Sequence, residues 1–261
     1  MNTDIILIVL ALLPVIVLGV YVYRSDRYEK EPLRMLFKAF FFGCLSVIPA
    51  VILELMLGAF APSGPLFGVY NGFVVAGCSE ELSKILLLSW AVWKSRDFNE
   101  YFDGIVYSCF VSLGFAAVEN FMYVFQSGSF AIALTTGAMR AVLSVPGHFL
   151  FGVAMGYFFA LAKFRPAERR RNLMLAFLVP MLMHGTFDSL LMIPESMGEA
   201  ETALSIILFV VFIVFDIFLW KKGIKRLRHL QELSREQHAG YDRQDIHSDG
   251  VKPLSEMKWD V

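Results

Sequence analysis

Carboxylates and histidines occur in this sequence inside long apolar stretches, where an ionisable side chain normally has a function or a compensating partner. Placing such a residue at the centre of a bilayer costs roughly 2.5–3.5 kcal/mol. The polar residues concerned are Glu80, Glu81, Lys84, Glu119, Asn120, Arg140, His148, His184 and Asp188. Side chains of these types can activate a water molecule and stabilise an oxyanion, as hydrolysis of an acyl bond requires.

Helical spacing places several of these residues on common faces. Residues four apart lie on one side of a helix, so Glu80 shares a face with Lys84, and His184 with Asp188. Glu81 is also a neighbour of Lys84, three residues away. We therefore expect one of the two glutamates to pair with Lys84 and the other to be left free as a general base.

The apolar stretches themselves predict a helical membrane protein. Of the 261 residues, 57% are hydrophobic and only 18% are charged, and the mean hydropathy is +0.59. The stretches are about 20 residues long, which is the length of a helix that crosses a bilayer. The predicted fold is all-α, a polytopic transmembrane bundle of about seven (seven to eight) helices, with spans near 4–23, 35–58, 67–93, 104–126, 131–162, 172–194 and 203–220.

The fifth predicted span and the chain end need separate treatment. The span at 131–162 is too long for one simple crossing and contains Pro146. A single kinked span and a re-entrant pair, with a short helix before the proline, both remain open. Residues 1–230 are predicted to form one transmembrane domain. Residues 231–261 are polar and mixed in charge, and we expect a disordered cytoplasmic tail there.

Lysine and arginine alternate between the connections in a way that predicts the orientation. Under the positive-inside rule, the pattern places the N-terminus outside the cell and the C-terminus in the cytoplasm. The basic connections are 24–34, 94–103, 163–171 and 221–228, whereas 59–66, 127–130 and 195–202 contain no Lys or Arg.

Non-catalytic explanations exist for individual residues. Glu81 and Lys84 can form a pair that only neutralises charge, and His184 can bind Asp188 without taking part in catalysis. Glu54 lies near the end of its span, where a side chain can reach the membrane surface. The cluster as a whole, distributed over four spans, contains more ionisable groups than helix packing requires.

Three motifs, on successive helices, resemble those of the PrsW family of bacterial membrane proteases. They are Glu80-Glu81-x-x-Lys84, Phe115-x-x-x-Glu119-Asn120 and His184-x-x-x-Asp188. The resemblance extends from about residue 29 to residue 218. The family is part of a wider group that includes the CAAX prenyl endopeptidases.

The resemblance implies a function and a set of roles. Members cut a single-pass anti-sigma factor on its extracytoplasmic side, so the expected partners are such a substrate and the lipid bilayer of the bacterial cytoplasmic membrane, with no nucleic acid. Glu80 would activate the attacking water, with Glu119 assisting. His184 and Asp188 would polarise the scissile carbonyl or hold the oxyanion. Among the remaining positions, Glu81 and His148 are assigned to the catalytic group, and Lys84, Asn120 and Arg140 to its support.

The residues permit both a metal-dependent and a metal-free mechanism. Two glutamates and two histidines could bind zinc with an open position for water; the candidate ligands are Glu80, Glu119, His148 and His184. The sequence has no His-Glu-x-x-His motif, and the candidates are scattered over four spans. We therefore expect a glutamate-activated water with no obligatory cofactor, and zinc is the alternative.

Two other classes of function are open. A non-catalytic scaffold of the APH-1 type would keep the polar cluster for helix association, and it should tolerate Glu80→Gln. A proton-coupled transporter could use Glu80, Glu119 and His184 as a relay. Such a transporter would be expected to show internal repeat symmetry, and we find no internal repeat in the sequence.

Overall fold

The computed structural model describes residues 3–64, 66–196 and 202–247, which form a bundle of helices. In this part of the chain, six helical runs are long and apolar enough to cross a membrane. Five of them correspond to single long helices: α1 (Thr3–Ser25), α2 (Leu33–Gly58), α5 (Tyr101–Phe125), α8 (Arg169–Ser196) and α9 (Thr202–His247). The prediction of an all-α, polytopic transmembrane bundle is confirmed.

The predicted third span is helical throughout but is not a single α-helix. It contains α3 (Leu66–Tyr70), a π-helix (Asn71–Cys78) and α4 (Ser79–Val92). A π-helix is wider than an α-helix because each of its hydrogen bonds spans five residues, and such segments are frequent at functional sites. This wide segment ends directly before the two glutamates of the first motif.

Glycines bring this π-helix into backbone contact with α8. A Cβ atom added at Gly72 would lie 2.7 Å from the backbone nitrogen of Ser189, and one added at Gly77 would lie 3.0 Å from that of Gly185. Small residues allow helices in membranes to approach this closely. The contact therefore fixes α4, which follows the π-helix, against the helix that carries His184.

The predicted fifth span consists of two helices. α6 (Phe130–Val142) is followed by α7 (Ser144–Phe164), and Leu143 between them has φ −111° and ψ −63°. Pro146 lies in the first turn of α7, where a proline needs no hydrogen-bonded backbone N–H. The chain thus contains a short helix before the proline, as one of the two predicted alternatives required, and the break precedes the proline.

The helices α5 and α7 lie at the centre of the bundle, and α2 packs against α5 at close range. A Cβ atom added at Gly156 of α7 would lie 2.3 Å from the carbonyl oxygen of Gly104 in α5, and one added at Gly114 of α5 would lie 2.1 Å from that of Phe40 in α2. These contacts hold the three helices that contribute most of the cavity described below.

One end of the bundle collects the four connections that are rich in Lys and Arg, and we call it the basic end. Arg34 pairs with Asp97 at 3.1 Å, and Lys163 donates to the carbonyl oxygen of Trp93 at 2.7 Å. These bonds join connections that are distant in sequence. The end that contains the last turns of α2 and α5 is called the opposite end.

The second half of α9 packs on the basic end. Gln231 donates to the carbonyl oxygen of Ser25 at 2.6 Å, and the hydroxyl of Ser234 accepts from the backbone N–H of Phe102 at 3.0 Å. Leu230 is fully buried. The predicted disordered tail is therefore wrong for residues 231–247, which continue α9 because these contacts compensate the loss of chain entropy. Residues 248–261 lie outside the described residues.

Candidate active site

A cavity of about 520 Å³ opens among α2, α4, α5, α7 and α8, in the half of the bundle nearer the opposite end. Its apolar walls come from valines of α2 and from aromatic residues of α5 and α7. Most of the predicted site residues line it: Glu80, Glu119, Arg140, His148, His184 and Asp188. The structure thus brings together residues that lie more than 100 positions apart in sequence.

Lys84 occupies the centre of the charged cluster. Its Nζ atom lies 3.0 Å from Glu80 Oε2 and 2.8 Å from Glu81 Oε1. The same atom lies 3.2 Å from Nδ1 of His148 and 4.0 Å from the ring centroid of Phe115. The expectation that one glutamate pairs with Lys84 while the other is free is wrong, because this fully buried lysine binds both.

Access to the cavity distinguishes the two glutamates. Glu80 lines the cavity, whereas the side chain of Glu81 is completely buried behind it. Glu81 also binds Nδ1 of His184 at 2.9 Å. Of this pair, Glu80 is therefore the residue that a water molecule or a peptide in the cavity can contact.

His184 lies between two carboxylates. Its Nδ1 atom binds Glu81 at 2.9 Å, and its Nε2 atom lies 3.2 Å from Asp188 Oδ2. Ionised carboxylates only accept hydrogen bonds, so both ring nitrogens donate and the ring is an imidazolium. The ring stacks on Phe151, with 4.7 Å between the centroids. A positive donor is thereby held at the cavity wall in a fixed orientation.

His148 has a defined tautomer for a related reason. A lysine ammonium has donors only, so Nδ1 of His148 accepts from Lys84 and the ring proton is on Nε2. This Nε2–H donates to Glu119 Oε2 at 2.8 Å. The same carboxylate oxygen accepts from Arg140 at 2.6 Å. Glu119 therefore already binds two donors.

Asn120 connects this part of the site to its surroundings. Its Oδ1 atom accepts from Nε of Arg140 at 2.9 Å, and its Nδ2 atom donates to the carbonyl oxygen of Ala11 at 2.7 Å. The guanidinium of Arg140 also lies 4.2 Å from the ring centroid of Tyr123. Asn120 and Arg140 thus join α1, α5 and α6 beside the cavity, in agreement with a supporting position.

The cluster includes a group of residues whose types could hold a metal ion. The ligand atoms of Glu80, Glu81, His148 and His184 all lie within 4.8 Å of one another. Carboxylates and imidazoles of this kind are zinc ligands. The group differs from the predicted one, because Glu81 takes the place of Glu119.

As arranged, this group does not fit a metal ion. The Lys84 ammonium already lies 2.8–3.2 Å from Glu80, Glu81 and His148, at the position where a cation would be bound. A divalent ion there would be repelled by the ammonium at close range. The protein supplies its own counter-ion to the glutamates.

Glu54 lines the cavity and was not recognised as a site residue from the sequence. It follows Val47 and Val51 on one face of α2, and all three line the cavity. The spacing of four and three residues is the signal that could have identified it. Its position near the end of α2 suggested an interfacial side chain instead.

Comparison with known proteins agrees with this site. A family model described as the PrsW family of intramembrane metalloproteases matches residues 31–216. Protease PrsW of Clostridioides difficile (strain 630) is 38% identical, over 90% of this chain and 95% of the relative. Protease PrsW of Bacillus subtilis (strain 168) is 33% identical, over 86% of this chain and 95% of the relative. No solved structure matches. The chain therefore belongs to the PrsW family of intramembrane proteases and is a peptide hydrolase of the membrane.

Proposed function

We propose that this protease cleaves a single-pass membrane protein of the anti-sigma factor class, by means of a water molecule that Glu80 activates. The observation that carries the proposal is the difference between the two glutamates: Glu80 lines the cavity, whereas Glu81 is completely buried. Lys84, at 3.0 Å, keeps the Glu80 carboxylate oriented. A carboxylate at such a cavity wall can accept a proton from water.

Hydrolysis then follows from the positions of these groups. Glu80 takes a proton from water, and the water oxygen forms a bond to the carbonyl carbon of the scissile peptide. The imidazolium of His184 donates to the developing oxyanion in place of Asp188, which lies 3.2 Å from its Nε2 atom. Glu80 finally passes its proton to the leaving amine as the carbon–nitrogen bond breaks.

Glu119 has a positioning role in this scheme. It accepts hydrogen bonds from His148 at 2.8 Å and from Arg140 at 2.6 Å, so it is less suited to take a proton from water than Glu80. Through His148, it also keeps a hydrogen-bond acceptor directed at Lys84. Its proposed contribution is to hold the lysine between the two glutamates.

The distribution of charge supports a position for cleavage. If the basic end faces the cytoplasm, the N-terminus is outside and the chain end is cytoplasmic. The cavity then lies in the outer half of the bacterial cytoplasmic membrane. A substrate helix beside the bundle would present its extracytoplasmic juxtamembrane segment to the cavity, as site-1 cleavage requires.

Reconstitution in lipid vesicles with a single-pass anti-sigma factor from the same organism tests the proposal. Wild type should cut the substrate just outside the membrane, and Glu80→Gln should abolish the cut at equal protein level. Glu168→Gln, an exposed carboxylate change at the basic end, is the matched control and should cut normally. Full activity of Glu80→Gln would exclude Glu80 as the base, and absence of cleavage by wild type would favour a scaffold.

A further inference from the structure

Four carboxylates line the cavity, and three of them have a cationic or histidine partner. Glu80 is bound by Lys84, Glu119 by Arg140 and His148, and Asp188 by His184. The fourth, Glu54, has no hydrogen bond or ion pair with any residue that the structure describes. An unpaired carboxylate in a partly enclosed cavity is costly, so its retention calls for a partner.

No basic residue of the chain is available nearby to supply that partner. The charged groups that act on Glu54 include Lys84 and His184, but both are engaged with other carboxylates. The connections 59–66 and 195–202 contain no Lys or Arg. A cation that neutralises Glu54 must therefore come from outside the chain.

The position of Glu54 indicates where such a cation would enter. Glu54 lies one helical turn before Gly58, the last residue of α2, which is about 6 Å from the opposite end of the helix. Glu80 lies near the start of α4, deeper in the bundle. A peptide that reaches Glu80 through the cavity thus passes Glu54 with residues close to its scissile bond.

We propose that Glu54 determines specificity by binding a lysine or arginine side chain of the substrate, on the side of the scissile bond that faces the opposite end of the bundle. This inference rests on the proposed function, because it assumes that a peptide occupies the cavity. A basic side chain would remove the unpaired charge on binding, whereas an acidic one would add repulsion. Charge complementarity of this kind selects among substrates through attraction and rejection together.

The test combines variants of Glu54 with a scan of the substrate. Single basic residues within the juxtamembrane segment of a cleaved substrate are replaced by Met or by Glu, and kcat/KM is measured for wild type, Glu54→Gln and Glu54→Lys. Glu54→Gln should lower kcat/KM about tenfold for the substrate that has the basic residue, and should leave the Met-substituted substrate unchanged. Glu54→Lys should recover cleavage of the Glu-substituted substrate. Glu168→Gln is the matched control.

Binding in an inactive background separates this inference from the proposed function. The affinity for the same substrate series is measured in Glu80→Gln and in the double variant Glu80→Gln/Glu54→Gln. Loss of preference for the basic residue in the double variant supports the role of Glu54, whether or not any substrate is cut. Equal affinities across the series in both proteins, or equal effects of Glu54→Gln on all substrates, would overturn it. Absence of cleavage by wild type counts against the proposed function alone.

Discussion

The ammonium of Lys84 lies 3.2 Å from Nδ1 of His148, and this contact links two motifs that are 64 residues apart. The lysine is fully buried and also binds both glutamates of the first motif. Buried charges are tolerated when they are paired and hydrogen-bonded. Lys84 therefore determines the electrostatic balance of the whole cluster.

Removal of Lys84 should destabilise the protein more than any other single loss of charge in the cluster. In Lys84→Met, Glu80 and Glu81 lose their common partner, and breaking a buried ion pair typically costs about 3–5 kcal/mol. Thermal unfolding in detergent measures the change. The double variant Lys84→Met/Glu81→Gln should regain part of the loss.

Lys38→Met is the matched control for that experiment. Lys38 donates to the carbonyl oxygen of Ala91 at 2.7 Å and forms no ion pair with any residue that the structure describes. Loss of one such bond should cost only about 1 kcal/mol. Equal destabilisation by the two variants would contradict the central position of Lys84.

Zinc should not be required for proteolysis, because Lys84 occupies the cation position between the glutamates. Treatment of the purified protein with a chelator should leave its activity unchanged. Lys84→Ala, in contrast, exposes the donor atoms of Glu80, Glu81, His148 and His184 to a metal ion. Zinc should then bind this variant and raise its unfolding temperature.

Two results would count against the metal-free interpretation. One is loss of wild-type activity on chelation with recovery on addition of zinc. The other is stoichiometric zinc in the wild-type protein, measured by elemental analysis. Either would mean that Lys84 moves away from the glutamates in the active protein.

Asp188→Asn should reduce kcat more than it changes KM. Asp188 lies 3.2 Å from Nε2 of His184, and its charge helps to keep that ring protonated. Loss of one oxyanion donor typically costs about a hundredfold or more in rate. Thr186→Val, on the same helix with an exposed hydroxyl that bonds only the carbonyl oxygen of Leu182, should retain normal kinetics. Parallel losses in both variants would indicate a general defect of α8.

Stability should decrease with rising pH because of buried carboxyls at the basic end. Burial raises the pKa of Glu31 from 4.5 to about 8, and that of Glu100 from 4.5 to about 8. Between these values, the folded protein holds protons that the unfolded chain has lost, so the stabilisation is complete below pH 4.5 and lost as the pH rises through about 8. The hydroxyl of Tyr107 donates to Glu31, and His238 lies 2.7 Å from Glu100.

Glu31→Gln tests this pH dependence. Unfolding temperatures of wild type and variant are compared across the same pH range, and the variant should show a smaller decrease on the alkaline side. Glu168→Gln, whose carboxylate is exposed, should follow wild type. Identical slopes for Glu31→Gln and wild type would show that Glu31 does not hold a proton in the folded protein.

Local spacing predicted part of the site correctly. The contacts of Lys84 with both glutamates and of His184 with Asp188 are pairs three or four residues apart, which any α-helix brings together. The contacts of Lys84 with His148 and of Glu81 with His184 join different helices. Spacing within one helix contains no information about these contacts, so the shared role of Lys84 could not be predicted.

Hydropathy predicted the spans but not their internal geometry. The π-helix is as apolar as its neighbours, and its winding depends on the glycine contacts with α8. The break at Leu143 likewise lies within a continuous apolar run. The helical end of α9 depends on polar contacts with distant connections, such as that between Ser234 and Phe102. Tertiary contacts determine all three features.

The π-helix at Asn71–Cys78 has a genetic consequence. Its wider turns contain more residues than α-helical turns, so the segment has surplus length that the deletion of one codon can remove. Normal winding would then rotate the following helix by about 100°, and Glu80 and Glu81 would turn away from His184. The apolar spans would be unaffected. A protease gene of this family is therefore a single mutational step from a membrane protein that keeps its shape and has lost its chemistry.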